Sequence, residues 1–396
     1  MKIKVGVIFG GKTVEHEISI ITAVQAMQHM DTEKYEIIPI YISKDCTWYT
    51  GKMLMDIDVY SDFESLKKYA NKVVLYKKNG AFVLQSVGLF KRVITEIDVA
   101  FPIVHGNNAE DGTIQGFLET IGIPYVGSRI LGSAIGQDKV IMKQLMKEND
   151  LPIVPYTWFY DYNYLEDKEN ILKEIKKLGY PVIVKPATLG SSIGVTFVKD
   201  EGKIDEAINE ATRYDTKIVV EKVVENLVEV NCSVLGNYQY QETSIIEEVL
   251  STDEFLTYTD KYVGKGKTKG NNTKGMAATN RIMPARINKD LYNEVQKIAI
   301  KTFKVLNLSG VARIDFLIDS KQNKIYVNEP NTIPGSLSFY LWEKTGKPYP
   351  KLLDELITFA IKDYKNRRKK IYSFDTNILQ NFGGLKGVKG SKGLKK

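Results

Sequence analysis

VARIDFLID (311–319), SKQNK (320–324), IYVNEPNT (325–332) and IPGSLSFYL (333–341) follow one another without interruption. Two apolar runs on either side of a short polar turn predict an antiparallel hairpin. Side chains alternate along each strand, so Arg313 and Asp315 share a face, as do Val327, Glu329 and Asn331. Asp315, Glu329 and Asn331 are then three hard-oxygen donors that two paired strands aim into one cleft. Such donors suit Mg²⁺ carried in on a nucleotide's phosphates. Arg313 lies beside them, placed to neutralise a transferring phosphoryl group or an oxyanion. The same residue types also fit a plain salt-bridged hairpin surface, so the reading depends on the rest of the chain.

The chain's 396 residues exceed one small core, and two or three subdomains are expected. Hydrophobic content of 43% with 26% charged residues is that of an ordinary soluble globular protein. No apolar run approaches the roughly 18 residues of a membrane span. The N-terminal MKIKVGVIFGG is basic then apolar, like a short signal peptide, but the apolar run is brief and no small-residue cleavage site follows. It predicts the first β-strand of a cytoplasmic protein. Cys46 and Cys232 stand far apart and are expected to be reduced thiols. The formal charge of +7 falls largely late, in Lys365, Arg367, Arg368, Lys369, Lys370 and the closing KGVKGSKGLKK. A Gly/Lys/Ser tail with little aromatic content predicts a solvated segment. Without it the chain is near neutral, and neither nucleic acid nor a membrane is an expected partner.

KVGVIFGG reads as a buried strand ending in two glycines, and KTVEHEISIITAVQAMQHM as a helix. A strand, glycine turn and helix also open dinucleotide sites. Here there is no G-x-G-x-x-G, and the acidic residue closing the second strand, Asp45, arrives late. Glu15, His16, Glu17 and Ser19 cluster at the helix start, where backbone N–H groups and the macrodipole favour an anion. Glu15 there either caps the helix or holds an ammonium group. VVLYKKNGAFVLQSV predicts a small hairpin. DVAFPIVHG is a strand ending at His105, where open α/β sheets bind ligands; a histidine in such a loop is either a ligand contact or a hydrogen-bonded structural residue. TIQGFLETIG (a helix) and IPYVGS (a short strand) complete a β-α-β-α-β series.

Helix 168–178 leads into YPVIVKPATLGSSIGVTFV, two strands around a Gly/Ser turn. Lys185 supplies a point charge to a phosphate, and the GSSIG loop (190–194) supplies backbone N–H groups to wrap one. Glu221 and Glu229 sit among apolar strand residues, either accepting from adenine or ribose or lying as solvated strand ends. The Gly/Lys/Asn/Thr-rich stretch 264–275 predicts a long lid-like loop. Its Gly266-Lys267-Thr268 ends a Walker A pattern, but Lys261 stands where the first glycine is required, which excludes a P-loop. Helix 288–306 feeds the hairpin, and PKLLDELITFAIKDYKNRR closes the fold. There is no internal repeat, heptad pattern, zinc-type spacing or G-x-S-x-G elbow.

Taken in order, these pieces resemble the ATP-grasp carboxylate–amine ligases, specifically the D-alanine–D-alanine ligase family. The segments that carry the resemblance are FGGKTVEHEIS, FPIVHGNNAEDGTIQGFLETIGIPYVGS, DK (138–139), VIVKPATLGSSIGV, EK (221–222), TDKY (259–262), GVARIDF and NEPNTIPG. The resemblance implies mixed α/β and α+β architecture, a three-domain ATP-grasp fold with an N-terminal parallel-sheet (pre-ATP-grasp) domain. The implied divisions are 1–130 for the N-terminal substrate domain, 131–222 for the central subdomain, 223–370 for the C-terminal subdomain with the metal site, and 371–396 for the basic tail.

It further implies ATP and two Mg²⁺ ions (Mn²⁺ being an alternative), with Glu329 bridging, Asp315 on one ion and Asn331 on the other. Lys139 and Lys185 would contact ATP phosphates, with Lys222 and Lys261 also on the nucleotide. The loop of Ser191 and Ser192 would cover the phosphates, and Glu221 would serve adenine or Glu229 ribose. Glu15 would hold the first D-alanine's ammonium, His105 would lie near its carboxylate, and Glu15, Ser191 and Tyr262 would form a hydrogen-bonded set. Arg313 and the Gly335 N–H would stabilise the oxyanion as an acyl phosphate is attacked by the second substrate's amine. A homodimer is the implied assembly, and peptidoglycan precursor synthesis the implied role.

The chain departs from the family pattern after NTIPG. Counted without gaps, Tyr340 stands where a serine followed by leucine receives the second substrate's carboxylate. Ser338 or the Tyr340 hydroxyl, beside Leu341, would take over that role, or the aromatics would reshape the pocket. The alternatives are therefore an ATP-grasp ligase with another amino acid or hydroxy acid as acceptor, and a non-catalytic nucleotide-binding protein.

Overall fold

Strand β1 (Ile3–Gly10) is buried along most of its length because parallel neighbours flank it and helices cover the sheet. The structure, a computed structural model, describes residues 2–108, 110–190, 193–250 and 281–372. The predicted lid 264–275, the tail beyond 372, and Ser191, Ser192, Lys261 and Tyr262 lie outside the described residues.

The first sheet contains β1, β2 (Tyr35–Ile42), β3 (Trp48–Thr50), β4 (Asn71–Lys78), β5 (Ala81–Ser86), β6 (Val93–Ile97) and β7 (Val99–Ile103), in the order β6-β5-β4-β3-β2-β1-β7. Only β1 pairs in parallel, with β2 and β7. The pairs β2–β3, β3–β4, β4–β5 and β5–β6 are antiparallel, so the sheet is mixed rather than parallel throughout. The expected hairpin is β4–β5. The expected strand at IPYVGS is reduced to a single bridge between Ala100 and Tyr125.

The second sheet, in the order β10-β9-β11-β8, contains β8 (Tyr156–Tyr160), β9 (Val182–Pro186), β10 (Thr196–Val198) and β11 (Lys217–Lys222). The third contains β12 (Leu227–Gly236), β13 (Gln241–Val249), β14 (Arg281–Ile282), β15 (Gly310–Asp319) and β16 (Lys324–Asn331), ordered β14-β13-β12-β15-β16 and antiparallel throughout.

Each sheet has its own apolar core, and two helices tie the cores together. Helix Tyr349–Arg367 lies at the C-terminal end of the described chain, yet it buries Leu352, Leu353, Leu356 and Ile357 with the residues of β1 and β7. Helix Lys139–Glu148 buries Met142 and Met146 in the core of the third sheet, with Val230 and Ile314. Among the described residues no helix is long and apolar enough to cross a membrane.

The hairpin that opened the sequence reading is β15–β16, with one irregularity. Asp315 faces Glu329 and Arg313 faces Asn331, but Phe316 pairs with Val327, leaving Asn328 as an extra residue. This bulge corrects the expected alternation. Val327 does not share a face with Glu329 and Asn331; it lies in the core with Ile314, Phe316 and Ile318. A bulge beside a site re-aims side chains in this way, and here it places Glu329 and Asn331 on the face of Arg313 and Asp315.

Candidate active site

A cleft of about 320 Å³ lies between the second and third sheets and is closed at one end by the first domain. Ile183, Phe197 and Leu317 give part of its wall an apolar character. Glu15, His105, Lys139, Lys185, Arg313, Asp315, Glu329 and Asn331 give it charge and hydrogen-bonding capacity. An apolar wall with a few convergent polar groups is the usual form of a small-molecule site.

Cross-strand pairing arranges one face of the third sheet as a row. Glu329 on β16 faces Asp315 on β15, Asp315 faces Asn231 on β12, and Asn231 faces Glu247 on β13. Residues directly opposite one another in a sheet share a face. Arg313 forks onto Asp315 of its own strand, Nε to Oδ1 at 2.7 Å and Nη2 to Oδ2 at 2.8 Å. Asn331 Nδ2 donates to Asp315 Oδ2 at 2.9 Å, and Lys139 Nζ lies 3.1 Å from Glu329 Oε2. Burial works against the Arg313 charge, but Asp315 outweighs it and holds the guanidinium above its ordinary range. Arg313 Nη1 is buried with no hydrogen-bond partner among the described residues. Among those residues no three His, Cys, Asp or Glu side chains gather closely enough to hold a metal unaided. The donor chemistry of Asp315, Glu329 and Asn331 nevertheless fits a hard cation that brings further oxygens with it.

Helix Lys139–Glu148 starts where Asp138 accepts from the N–H groups of Val140 and Ile141. Its first turn puts Lys139 and Lys143 on neighbouring positions of one face. Lys139 donates to the Leu189 carbonyl at 2.7 Å as well as pairing with Glu329. Lys143, wholly buried, lies 3.0 Å from Glu221 Oε1, and Lys185 lies 2.8 Å from Glu221 Oε2. Burial alone would raise the Glu221 carboxyl, but the two lysines overcome it and hold it below the usual range. Glu221 therefore fixes two lysines, a different arrangement from the adenine contact expected. The Lys222 ammonium donates to the carbonyls of Gly179 and Tyr180, and the residue lines the cleft. Glu229 lies on the cleft wall.

At the first domain's end, Glu15 precedes helix His16–His29 but accepts no capping hydrogen bond from it, and its side chain is buried. It lies against two loop glycines. A Cβ on Gly190 would come within 3.3 Å of Glu15 Oε2, and one on Gly106 within 3.0 Å of the same atom and 2.2 Å of Thr13 Oγ1. Gly106 has φ +82°, where a side chain is strained in any case. His105 is held by Ser19 Oγ, which accepts from its backbone N–H at 3.0 Å, and has Nε2 3.2 Å from Thr22 Oγ1. Burial lowers its pKa to about 4; a backbone hydrogen bond with Ile333 opposes this and Arg313 adds to it, so the ring is neutral near pH 7.

Beyond Gly335 the backbone takes an unexpected course. Ser336, Leu337 and Ser338 have φ of 53°, 51° and 52°. Thr22 Oγ1 accepts from the Ser336 N–H at 3.1 Å, and Ser336 Oγ donates to Gln25 Oε1 at 2.8 Å, pinning this left-handed turn to the first domain. Gly335 stays on the cleft wall, but Ser338, Tyr340 and Leu341 do not line it. Ser338 and Leu341 are fully buried, and the Tyr340 hydroxyl donates to Glu247 Oε1 at 3.1 Å. The expected receipt of a carboxylate by Ser338, Tyr340 and Leu341 therefore does not match their placement.

The family model of the D-Ala D-Ala ligase N-terminus matches residues 4–128, and that of the C-terminus residues 145–358. The chain belongs to the D-alanine–D-alanine ligase family. Members of this ATP-grasp family are ATP-dependent ligases. A D-alanine–D-alanine ligase from Thermosipho melanesiensis is 44% identical over 379 residues, 96% of this chain and 98% of that protein. The one from Caldicellulosiruptor bescii is 41% identical over 384 residues, 93% and 97% of the two chains. The D-alanine–D-alanine ligase structure from Coxiella burnetii superposes with a TM-score of 0.79 at 29% identity, covering 93% of this chain and 96% of that one. The VanG D-Ala:D-Ser ligase of Enterococcus faecalis gives 0.76 at 30% identity, over 91% and 100%.

Sequence reading missed several residues that line this cleft or lie buried behind it. Lys143 had a signal, a lysine one turn after Lys139 on a helix face that otherwise carries methionines. Glu110 accepts from the N–H groups of Gly106 (3.3 Å) and Ile333 (2.8 Å) and from Thr332 Oγ1 (3.0 Å), joining the first domain to the hairpin's exit. Burial first, and Glu15 second, raise its carboxyl to about 7. Arg281 and Glu247 carried no pattern that singled them out.

Proposed function

We propose that this cleft joins two D-alanines through an acyl phosphate, at the expense of ATP, with the residues dividing the work as follows. Adenine rests against Ile183, Phe197 and Leu317, with Glu229 placed for ribose. Lys139 and Lys185 hold the phosphates. Asp315, Glu329 and Asn331 would hold Mg²⁺, two ions in all, which when bound neutralises phosphoryl charge. Glu15 takes the first D-alanine's ammonium, and neutral His105 lies by its carboxylate. That carboxylate attacks the γ-phosphorus and ADP departs; the second D-alanine's amine then attacks the acyl carbon and phosphate leaves. Arg313 steadies the oxyanion formed on that carbonyl, with the Gly335 N–H. Peptidoglycan precursor synthesis in the cytoplasm by a homodimer completes the reading.

The observation that carries it is the common face of Arg313, Asp315, Glu329 and Asn331, with Lys139 beside them and Glu15 in the same cleft. Incubation with MgATP and D-alanine tests it: D-alanyl-D-alanine, ADP and phosphate are expected in equal amounts. ATP turnover that D-alanine does not stimulate refutes it.

A further inference from the structure

Gln137 closes helix Ile130–Gln137 and lines the cleft immediately before Asp138 and Lys139. Its Nε2 donates to Asn107 Oδ1 at 2.7 Å and to the Thr188 carbonyl at 2.6 Å. A side-chain amide nitrogen carries two N–H groups, so these bonds use both. Asn107 belongs to the first-domain loop of His105 and Gly106, and Thr188 to the loop that leads from β9 to Gly190. Both loops lie against Glu15, since a Cβ on Gly106 or on Gly190 would approach its Oε2. Three successive carbonyls of the second loop are held from the same short segment. That of Ala187 accepts from the Lys139 N–H at 3.0 Å, that of Thr188 from Gln137, and that of Leu189 from Lys139 Nζ at 2.7 Å. Asp215 fixes the other side of Thr188, its Oδ2 accepting from the N–H and from the hydroxyl, each at 2.8 Å.

The end of this helix also sits close to the hairpin's exit, where a Cβ on Gly136 would lie 2.7 Å from Thr332 Cγ2. An amide bonded to two loops at once favours the one arrangement in which both are in place. Whatever orders one loop then lowers the cost of ordering the other, which is a coupling free energy between two sites. From this bridge we infer that Gln137 is a positioning residue that couples the phosphates of ATP, on the side of Lys139 and Gly190, to the first D-alanine, on the side of Glu15 and His105. Each ligand then tightens the other. Gln137 acts through the loops and not on the reacting atoms. The inference rests on the ligase reading and deepens it.

Titration calorimetry with Mg²⁺ and a non-hydrolysable ATP analogue, without and with saturating D-alanine, gives the coupling as the ratio of the two Kd values. Gln137→Met keeps the length and loses both hydrogen bonds. Its ratio is expected to fall roughly 3- to 10-fold below that of the wild type, the worth of about one neutral hydrogen bond. The Kd for the analogue alone should change less than about twofold, because the bridge is felt only when both loops are engaged. Asn107→Ala cuts the bridge at its first-domain end and should lower the ratio as much, with the double variant going no further. If Gln137→Met fails to fold, Asn107→Ala carries the test alone. A wild-type ratio near one, or an unchanged ratio in the folded variant whatever its turnover, overturns the inference. A wild-type chain that forms no dipeptide from MgATP and D-alanine overturns the ligase reading itself.

Discussion

Replacing Glu221 by glutamine leaves Lys143 and Lys185 facing a neutral amide in a buried setting. Lys143 is fully buried, and burial already holds its pKa below the ordinary 10.5 in spite of Glu221. Removing one partner of a buried ion pair costs about 3–5 kcal/mol. The ceiling follows from letting one lysine go neutral at pH 7, about 3.5 pH units from its ordinary value at about 1.4 kcal/mol each, or roughly 5 kcal/mol. Lys143→Met is the contrast. It removes the buried ammonium together with its burial cost and leaves Glu221 paired to Lys185. Because Lys143 Nζ and Glu221 Oε1 form an ion pair without hydrogen-bond geometry, little else is lost. That variant is expected within about 1 kcal/mol of wild type. Amide hydrogen exchange along β9 and β11 reads the local stability directly. Glu221→Gln should speed it by roughly 100- to 4000-fold, and Lys143→Met by less than about tenfold. Equal acceleration in the two variants, or none in Glu221→Gln, refutes the assignment of Glu221 as the group that holds both lysines.

Gly106→Ala should raise the KM for the first D-alanine, because the new Cβ meets Thr13 and Glu15; the positive φ should also cost about 1–2 kcal/mol in denaturant unfolding. Glu110 contributes a pH-dependent stability of known sign. Its folded pKa of about 7 lies above the ordinary 4.5, so its contribution is fully present below about 4.5 and is lost as pH rises through about 7. Thermal unfolding of Glu110→Gln should accordingly show a flatter pH dependence between those limits than wild type. Glu329→Gln should abolish D-alanine-stimulated ATP turnover while far-UV circular dichroism stays unchanged; normal turnover would remove Glu329 from the catalytic set.

The hairpin, its residue types and the shared face of Arg313, Asp315, Glu329 and Asn331 were legible because apolar alternation and a polar turn are local signals. The bulge at Asn328 was not. It depends on how β16 registers against β15, and no glycine marks it. The antiparallel half of the first sheet was hidden for a related reason: β3 has three residues and β6 has five, too few for a period to emerge.

Downstream of Gly335 the failure has an energetic cause. Three consecutive non-glycine residues in the left-handed region cost of order 1–3 kcal/mol each. Local preference therefore argues against the turn that is found, and a gap-free count put Tyr340 on the cleft wall. What makes the turn affordable comes from elsewhere in the chain, through Thr22 and Gln25, more than 300 positions away. The turn carries Tyr340 back beneath Arg281, and Glu247 then holds hydroxyl and guanidinium together. At the Asp315 end of the row the residues chosen by local pattern lie on one face, because the hairpin alone sets the geometry there. At the Glu247 end, three separate segments converge through Asn231, Arg281 and Tyr340, and only the folded chain brings them together.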